Sequence, residues 1–293
     1  MENDQASIQP RVSVVMPSYN SAKTIEAALI STLMQQYPNM EIIVVNDGST
    51  DTTRDLVESF QANEKNITII DNPSNYGIAR SRNIWTEAAQ WEYIAVLDAD
   101  DQWIDFKKTQ KQIDFLLANP DVWILGTNGI IRWGEWKYAI TNVAQTDEKI
   151  RKQILSSCPF IHSSVIYKKA IWEKIGWYPE GYKYSDDLAF QLLGGKHFSF
   201  ANLPDYSLLR DFDCGNISHV HKYQQAKDFL SLSIKYRKEY PWATPWIIRR
   251  SWALLYKILF DTDIFPVGKG LRYLLSSKEK IVKTNDIQQF CNR

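Results

Sequence analysis

The first 127 residues alternate short apolar runs with longer amphipathic stretches, and this alternation restricts the fold more than any other feature. Val12–Met16, Glu41–Asn46, Ile67–Ile70, Tyr93–Leu97 and Val122–Gly126 are rich in Val and Ile and too short for buried helices, so they predict buried strands. Between them, Ser21 precedes a helical pattern over Thr24–Gln36, and Thr50-Asp51 precedes another over Thr52–Phe60. Asn75-Tyr76-Gly77 opens Ile78–Trp91, and Asp105–Ala118 stops before Asn119-Pro120. Strand–helix–strand repetition predicts an α/β fold with a doubly wound, mainly parallel sheet. In such sheets ligands bind beyond the carboxyl ends of the strands.

The pattern changes after Asn128. Ile130–Ile140 reads as a Trp-rich hairpin turning at Gly134, Val165–Tyr167 as a strand, Lys168–Ile175 and Asp186–Leu193 as helices, and Ser207–Phe212 as a late strand. No linker separates this portion from the first, so both are expected in one domain over 1–221, with halves of about 1–127 and 128–221. Residues 222–293 form a helical extension, with helices expected over Tyr223–Tyr240, Pro245–Phe260 and Lys269–Ser276.

The formal net charge of zero hides an asymmetry: residues 1–221 carry 20 Lys+Arg against 28 Asp+Glu, and residues 222–293 carry 14 against 6. The acidic body is a poor nucleic-acid binder, while the basic extension suits an anionic surface. No apolar run is long enough to span a bilayer and the first residues lack an apolar h-region, so neither a membrane span nor a secretory signal is expected. Cys158, Cys214 and Cys291 are far apart and odd in number, which points to reduced thiols and a cytoplasmic setting.

Three clusters follow buried strands: Pro17-Ser18-Tyr19-Asn20, Asn46-Asp47-Gly48-Ser49 and Asp98-Ala99-Asp100-Asp101. Singly, Asp47 and Asp98 are explained as turn caps; three clusters on one sheet edge favour a ligand site. Asp98 and Asp100, one residue apart, suit Mg²⁺ or Mn²⁺, hard cations that also bind phosphate. Asp101 is expected to face solvent. Asn75 through Asn83 presents a glycine turn, a helix start, Arg80 and Arg82, which suit a diphosphate or a base but also fit a capped helix with solvated arginines. Asp186 and Asp187 are either complements to a helix dipole or, as adjacent like charges, a source of a general base with raised pKa. GxGxxG and GxxxxGK[ST] patterns are absent from the sequence.

Val12 through Asn20, Ile43 through Asp51 and Leu97 through Asp101 closely resemble the family-2 glycosyltransferases, over about residues 11–220. The resemblance implies a GT-A fold and transfer of a sugar from a nucleoside diphosphate donor, usually with inversion and with a divalent metal. It implies that Pro17 and Tyr19 line the base pocket, that Asp47 accepts a hydrogen bond from the base, and that Asn75 and Arg82 complete the nucleotide site, with Ser81 standing where the family has Ala and Arg80 as the alternative arginine. Asp98 would contact ribose or metal, Asp100 would bind the metal, and Ala99 lies between them at the diphosphate. Asp187 would be the catalytic base, with Asp186 standing where the family has Glu and Leu188 where it has Trp. His162 resembles a segment near the donor sugar, and Arg210 and Asn216-Ile217-Ser218 resemble a loop closing over the diphosphate. His221 is a candidate third metal ligand. Uridine as the base, a glycan or lipid-linked acceptor, and a cell-surface polysaccharide product also follow from the resemblance. The alternatives are a sugar-phosphate nucleotidyltransferase, which should carry a Gly-rich loop where Pro17-Ser18-Tyr19-Asn20 stands, and a non-catalytic module of the same fold. Pro245–Phe260 is apolar around most of its circumference, and either packs on the domain or lies at a membrane interface.

Overall fold

In the computed structural model, which describes residues 9–133, 137–182, 184–211, 221–240, 242–260 and 281–282, every Val/Ile run of the first half is a strand. In order these elements are β1 (Val12–Ser18), α1 (Ile25–Leu33), β2 (Met40–Asn46), α2 (Thr53–Gln61), β3 (Ile67–Asp71), α3 (Ile78–Ala88), β4 (Tyr93–Val96), β5 (Asp101–Trp103) and α4 (Lys108–Ala118). Strands β1, β2, β3 and β4 are parallel, in the spatial order β4-β1-β2-β3. Their apolar side chains are buried on both faces, as a sheet covered by helices requires.

The second half continues the same sheet with β6 (Val122–Trp133), β7 (Lys137–Ile140), β8 (Ile166–Lys168) and β9 (Ser199–Asp211). Here the mainly parallel expectation gives way to mixed pairing. β8 is antiparallel to both β4 and β6, β7 is antiparallel to β6, and β9 runs parallel to β6 but antiparallel to β5. The helices are α5 (Asp147–Gln153), α6 (Trp172–Ile175), α7 (Asp186–Gly194), α8 (Lys222–Lys235) and α9 (Ala243–Phe260); β10 (Ile281–Val282) pairs with β7. Lys168–Ile175, expected as one helix, splits into a 3-10 turn and the single turn of α6. The turn at Gly134, the helix over Lys269–Ser276, Cys214 and Cys291 lie outside the described residues.

Two apolar clusters flank the sheet. The one beneath α3 and α7 is aromatic: Trp85, Trp172, Tyr178 and Phe190 meet edge-on or tilted, and Tyr178 stacks on Phe190 with centroids 4.2 Å apart. It fixes α7 against α3, and so fixes what each helix presents at the sheet edge.

Candidate active site

The carboxyl ends of β1, β2 and β4 form one edge, and hydrogen bonds between their loops set its shape. Asn20, the one described non-glycine residue with a left-handed backbone (φ 50°), accepts from the Thr50 amide at 2.8 Å and donates its own amide to Ser49 Oγ at 3.0 Å. Asp51 caps α2 through the Thr53 amide at 3.0 Å and also holds the Ala22 amide at 3.1 Å. Gly48 has φ 73°, and a Cβ there would stand 2.6 Å from the carbonyl carbon of Ser74. Only glycine lets the 74–75 backbone cross this close.

Asp47 is buried and fully engaged. It accepts hydrogen bonds from the Tyr76 amide at 2.9 Å, the Gly77 amide at 3.0 Å and Asn72 Nδ2 at 2.7 Å. Its carboxylate therefore clamps the entry of α3, some thirty residues on, and does not cap the turn that follows β2 as the sequence alternative had it. Tyr19 is 49% exposed and Asn75 is exposed, both at the open rim, while Pro17 is half-buried at the end of β1.

Arg82, expected to complete the nucleotide site, is buried between two carboxylates. It is 4% exposed, its Nη1 donates to Asp186 Oδ2 at 2.5 Å, and its Nη2 lies 3.7 Å from Asp98 Oδ1. The guanidinium also sits 5.5 Å over the Tyr178 ring. Asp186 is buried, and desolvation pushes its carboxyl up to about 6 although Arg82 opposes the shift. Asp187, the next residue, is only half-buried. It accepts from the Leu188 amide at 2.7 Å and faces the Cys158 thiol at 4.0 Å. Burial raises its carboxyl above the usual range and Asp98 adds to the rise, while Arg82 and Arg210 act in the other direction. Burial and the Asp187 charge push the Cys158 thiol up to about 12, so it stays protonated.

The β4 loop gathers three carboxylates. Asp98, Asp100 and Asp101 each place a carboxylate oxygen within 4.8 Å of the others. Asp101 corrects the expectation of a solvent-facing side chain: it is buried, accepts from Ser163 Oγ, and lies 3.8 Å from Arg210 Nε. The same Ser163 Oγ accepts the Asp98 amide at 3.2 Å, so one hydroxyl ties both ends of the loop. Burial raises Asp101 to about 8, with Asp100 and Asp98 reinforcing and Arg210 opposing. Buried Ala99 separates the two outer carboxylates. Asp98 Oδ1 and Asp101 Oδ1 are buried and make no hydrogen bond. An all-oxygen donor set whose two buried oxygens have only an arginine at 3.7–3.8 Å and no hydrogen bond fits a hard divalent cation.

Arg210 is on β9, opposite Asp101 in the ladder, and not on a closing loop; Asn216-Ile217-Ser218 lies outside the described residues. His221 lies outside the carboxylate cluster, its ring stacked on Tyr184 with centroids 4.1 Å apart, and the third acidic member is Asp101. His162 is buried with neither ring nitrogen hydrogen-bonded. Burial and the nearby Arg82 and Arg210 charges hold its pKa well below 6.5, which keeps the imidazole neutral.

Sequence reasoning missed Asp101, Asn72 and Tyr178. Asp101 and Trp103 are buried on one side of β5 with the half-buried Gln102 between them, but three residues are too short to show a period.

Comparison with known proteins agrees with this architecture. The chain is 39% identical over 120 residues to the UDP-Glc:alpha-D-GlcNAc-diphosphoundecaprenol beta-1,3-glucosyltransferase WfgD of Escherichia coli, covering 41% of this chain and 46% of WfgD. The chain spans about half the length of the curated relatives it matches. S. aureus TarS in complex with UDP superposes with TM-score 0.61 at 21% identity, covering 84% of this chain and 71% of that one. The mannosyltransferase PcManGT of Pyrobaculum calidifontis, solved with GDP-Man and Mn2+, gives TM-score 0.64 at 18% identity over 91% of this chain and 80% of that one. These likenesses identify the fold as GT-A. A model of glycosyl transferase family 2 matches residues 13–176, more than half of the chain, and the protein therefore belongs to that family.

Proposed function

We propose that this protein transfers a sugar with inversion from a nucleoside diphosphate donor, UDP by preference, to a hydroxyl of a glycan or lipid-linked glycan in cell-surface polysaccharide synthesis. The observation that carries this reading is the convergence of two acidic groups of different character on one edge. The Asp98–Asp100–Asp101 cluster and the half-buried Asp187 meet around Arg82, which lies 3.7 Å from Asp98 and bonds Asp186, the chain neighbour of Asp187. WfgD, named for a UDP-Glc donor and a diphosphoundecaprenol-linked acceptor, supports the substrate class.

Asp187 acts as the base. It accepts the proton of the acceptor hydroxyl, the hydroxyl oxygen bonds to the anomeric carbon, and the bond from that carbon to the diphosphate oxygen breaks with its electron pair leaving on the diphosphate. Asp186 is bound to Arg82 and cannot turn to an acceptor without breaking that pair. Arg210 faces the developing phosphate charge, and Asp101 holds the guanidinium there. Asp98 and Asp100 would hold Mn²⁺ or Mg²⁺, which when bound offsets charge on the diphosphate. His162 offers a neutral hydrogen-bonding group to the donor sugar, and Tyr19 and Asn75 stand at the rim where the base would lie. The nucleotidyltransferase alternative gains nothing from the family match.

α9 adds a partner surface. Arg250 points inward, over the Phe229 ring at 4.2 Å and donating to the Ser156 carbonyl at 2.7 Å, whereas Ile248 (55% exposed) and Trp252 (68%) point outward beside Arg249. An apolar stripe with a cation on its solvent side fits peripheral contact with an anionic membrane. Among the described residues no helix is long and apolar enough to cross a membrane.

The test is calorimetric titration with UDP, GDP and dTDP, with and without Mn²⁺, followed by product analysis from a donor-sugar screen. Mn²⁺-dependent UDP binding that is lost in Asp100→Ala supports the reading. Affinity indifferent to metal and to Asp100 removes the cation from it, and no product from any donor removes the transfer.

A further inference from the structure

Beside the site, on the outer face of α3, lies a cavity of about 360 Å³. Arg80, Ile84 and Glu87 line one wall at helical spacing, and Trp177, Tyr178 and Glu180 line the other. The wall on α3 runs two turns, about 10 Å, from the helix entry held by Asp47 toward the carboxyl end of α3.

Three observations define what such a groove accepts. Trp177 is 49% exposed, its ring tilted against Trp172 with centroids 5.7 Å apart, so a large aromatic surface is left at the cavity. The charged groups are mixed, one guanidinium and two carboxylates, which disfavours a polyanion such as a free diphosphate. Finally, the loop is rigidly held: Asn83 accepts the Tyr178 amide at 2.8 Å and donates to the Tyr178 carbonyl at 3.1 Å. A flat aromatic face flanked by planar hydrogen-bonding side chains matches a sugar ring, whose C–H face is apolar and whose rim is hydroxylated.

The groove also adjoins the chemistry. Tyr178 forms its inner wall, and the same ring lies under Arg82 and edge-on to His162, with centroids 6.1 Å apart. Asn83, which pins the loop, is the chain neighbour of Arg82.

We infer that this groove is an outer carbohydrate subsite, a track for acceptor sugar units that lie beyond the reacting hydroxyl. The inference rests on the transferase reading for the word acceptor. The groove itself is a binding site for neutral oligosaccharide whatever the reaction. Trp177 provides the stacking platform, and Glu87 and Glu180 accept hydroxyl hydrogen bonds.

The full chain, without nucleotide, is titrated with chitotriose, cellotriose and maltotriose by calorimetry and by saturation-transfer NMR. Wild type is expected to bind at least one trisaccharide. Trp177→Ala weakens that binding about tenfold, Glu87→Ala about threefold, and Trp177→Phe retains most of it. Both positions are solvent-exposed, so the variants keep the fold, which a thermal midpoint checks. UDP affinity with Mn²⁺ is measured in parallel, stays unchanged in all three variants, and reports on the transferase reading alone. Failure of the wild type to bind any of the three sugars, or equal binding by wild type and Trp177→Ala, overturns the subsite.

Discussion

Arg82 and Asp186, 104 positions apart in the chain, form a buried ion pair at 2.5 Å that joins α3 to α7. A second carboxylate, Asp98, lies 3.7 Å from the same guanidinium. Burial disfavours an isolated charge, so removing one partner is far worse than removing both. Arg82→Ala is expected to destabilise the fold by about 3–5 kcal/mol in urea unfolding, while Arg82→Met combined with Asp186→Leu recovers a large part of that loss. Equal destabilisation by the single and double changes would mean that the pair is not what holds the two helices.

Asp187 carries the second prediction. A base must be ionised, so the rate falls as pH drops through its pKa. Burial and Asp98 raise that pKa above the ordinary aspartate value of 3.8. The acid limb of the kcat/KM profile should therefore lie above the usual carboxylate range. Asp187→Asn should lower kcat by about 10²–10⁴-fold with UDP affinity retained. An Asp187→Asn enzyme that turns over normally would reassign the base.

The parallel half of the fold was legible because each of its strands is a continuous apolar run bounded by turn residues, and β1 to β4 fall within a residue or two of the Val/Ile runs. The second half was less so. β9 begins at Ser199, eight residues before the expected start at Ser207, because Asn202, Pro204 and Asp205 interrupt its apolar pattern. The site was legible as residue types at strand ends, since carboxylates there need a partner. What those partners are was not. Arg82 read as a solvated or nucleotide-facing arginine because its ion pair with Asp186 is set by tertiary packing. Asp101 read as solvent-facing because its burial depends on β9 lying across it. Asp47 shows the same limit, since the amides it holds, those of Tyr76 and Gly77, come from the loop after the next strand.

Gly48 is the tightest backbone crossing at the site. Alanine there meets both a left-handed backbone and the Ser74 carbonyl carbon at 2.6 Å, which is backbone and has little room to move. Gly48→Ala is expected to cost about 1–3 kcal/mol and to displace Asn75, so UDP affinity should fall along with stability. Gly181→Ala, with nothing within 4 Å of its added methyl, is the control that should leave both nearly unchanged. If the two variants behave alike, the crossing is not under the constraint described.

Lys108 offers a pH test of a different kind. It is buried on α4, its Nζ donating to Gln112 Oε1 at 2.7 Å and lying 3.9 Å from the Trp103 ring centroid. Gln112 in turn donates to the Ser164 carbonyl at 3.0 Å, so this lysine lies behind the segment carrying His162 and Ser163. Burial lowers its pKa from 10.5 to about 7, with Asp105 opposing only in part. Between those two values the unfolded chain holds a proton that the folded chain has released, so unfolding takes up a proton and stability rises with pH. Below pH 7 both states are protonated and the penalty for the buried ammonium is at its full size. Lys108→Met removes the titration. Its stability relative to wild type should be most favourable below pH 7 and should decline toward pH 10.5, by on the order of 5 kcal/mol across the window. Losing the donor to Gln112 shifts the variant by a constant and leaves the slope untouched. Urea unfolding of both proteins at pH 6.5, 8 and 9.5 reads that slope directly, and parallel curves would place the lysine proton in water and not in the core.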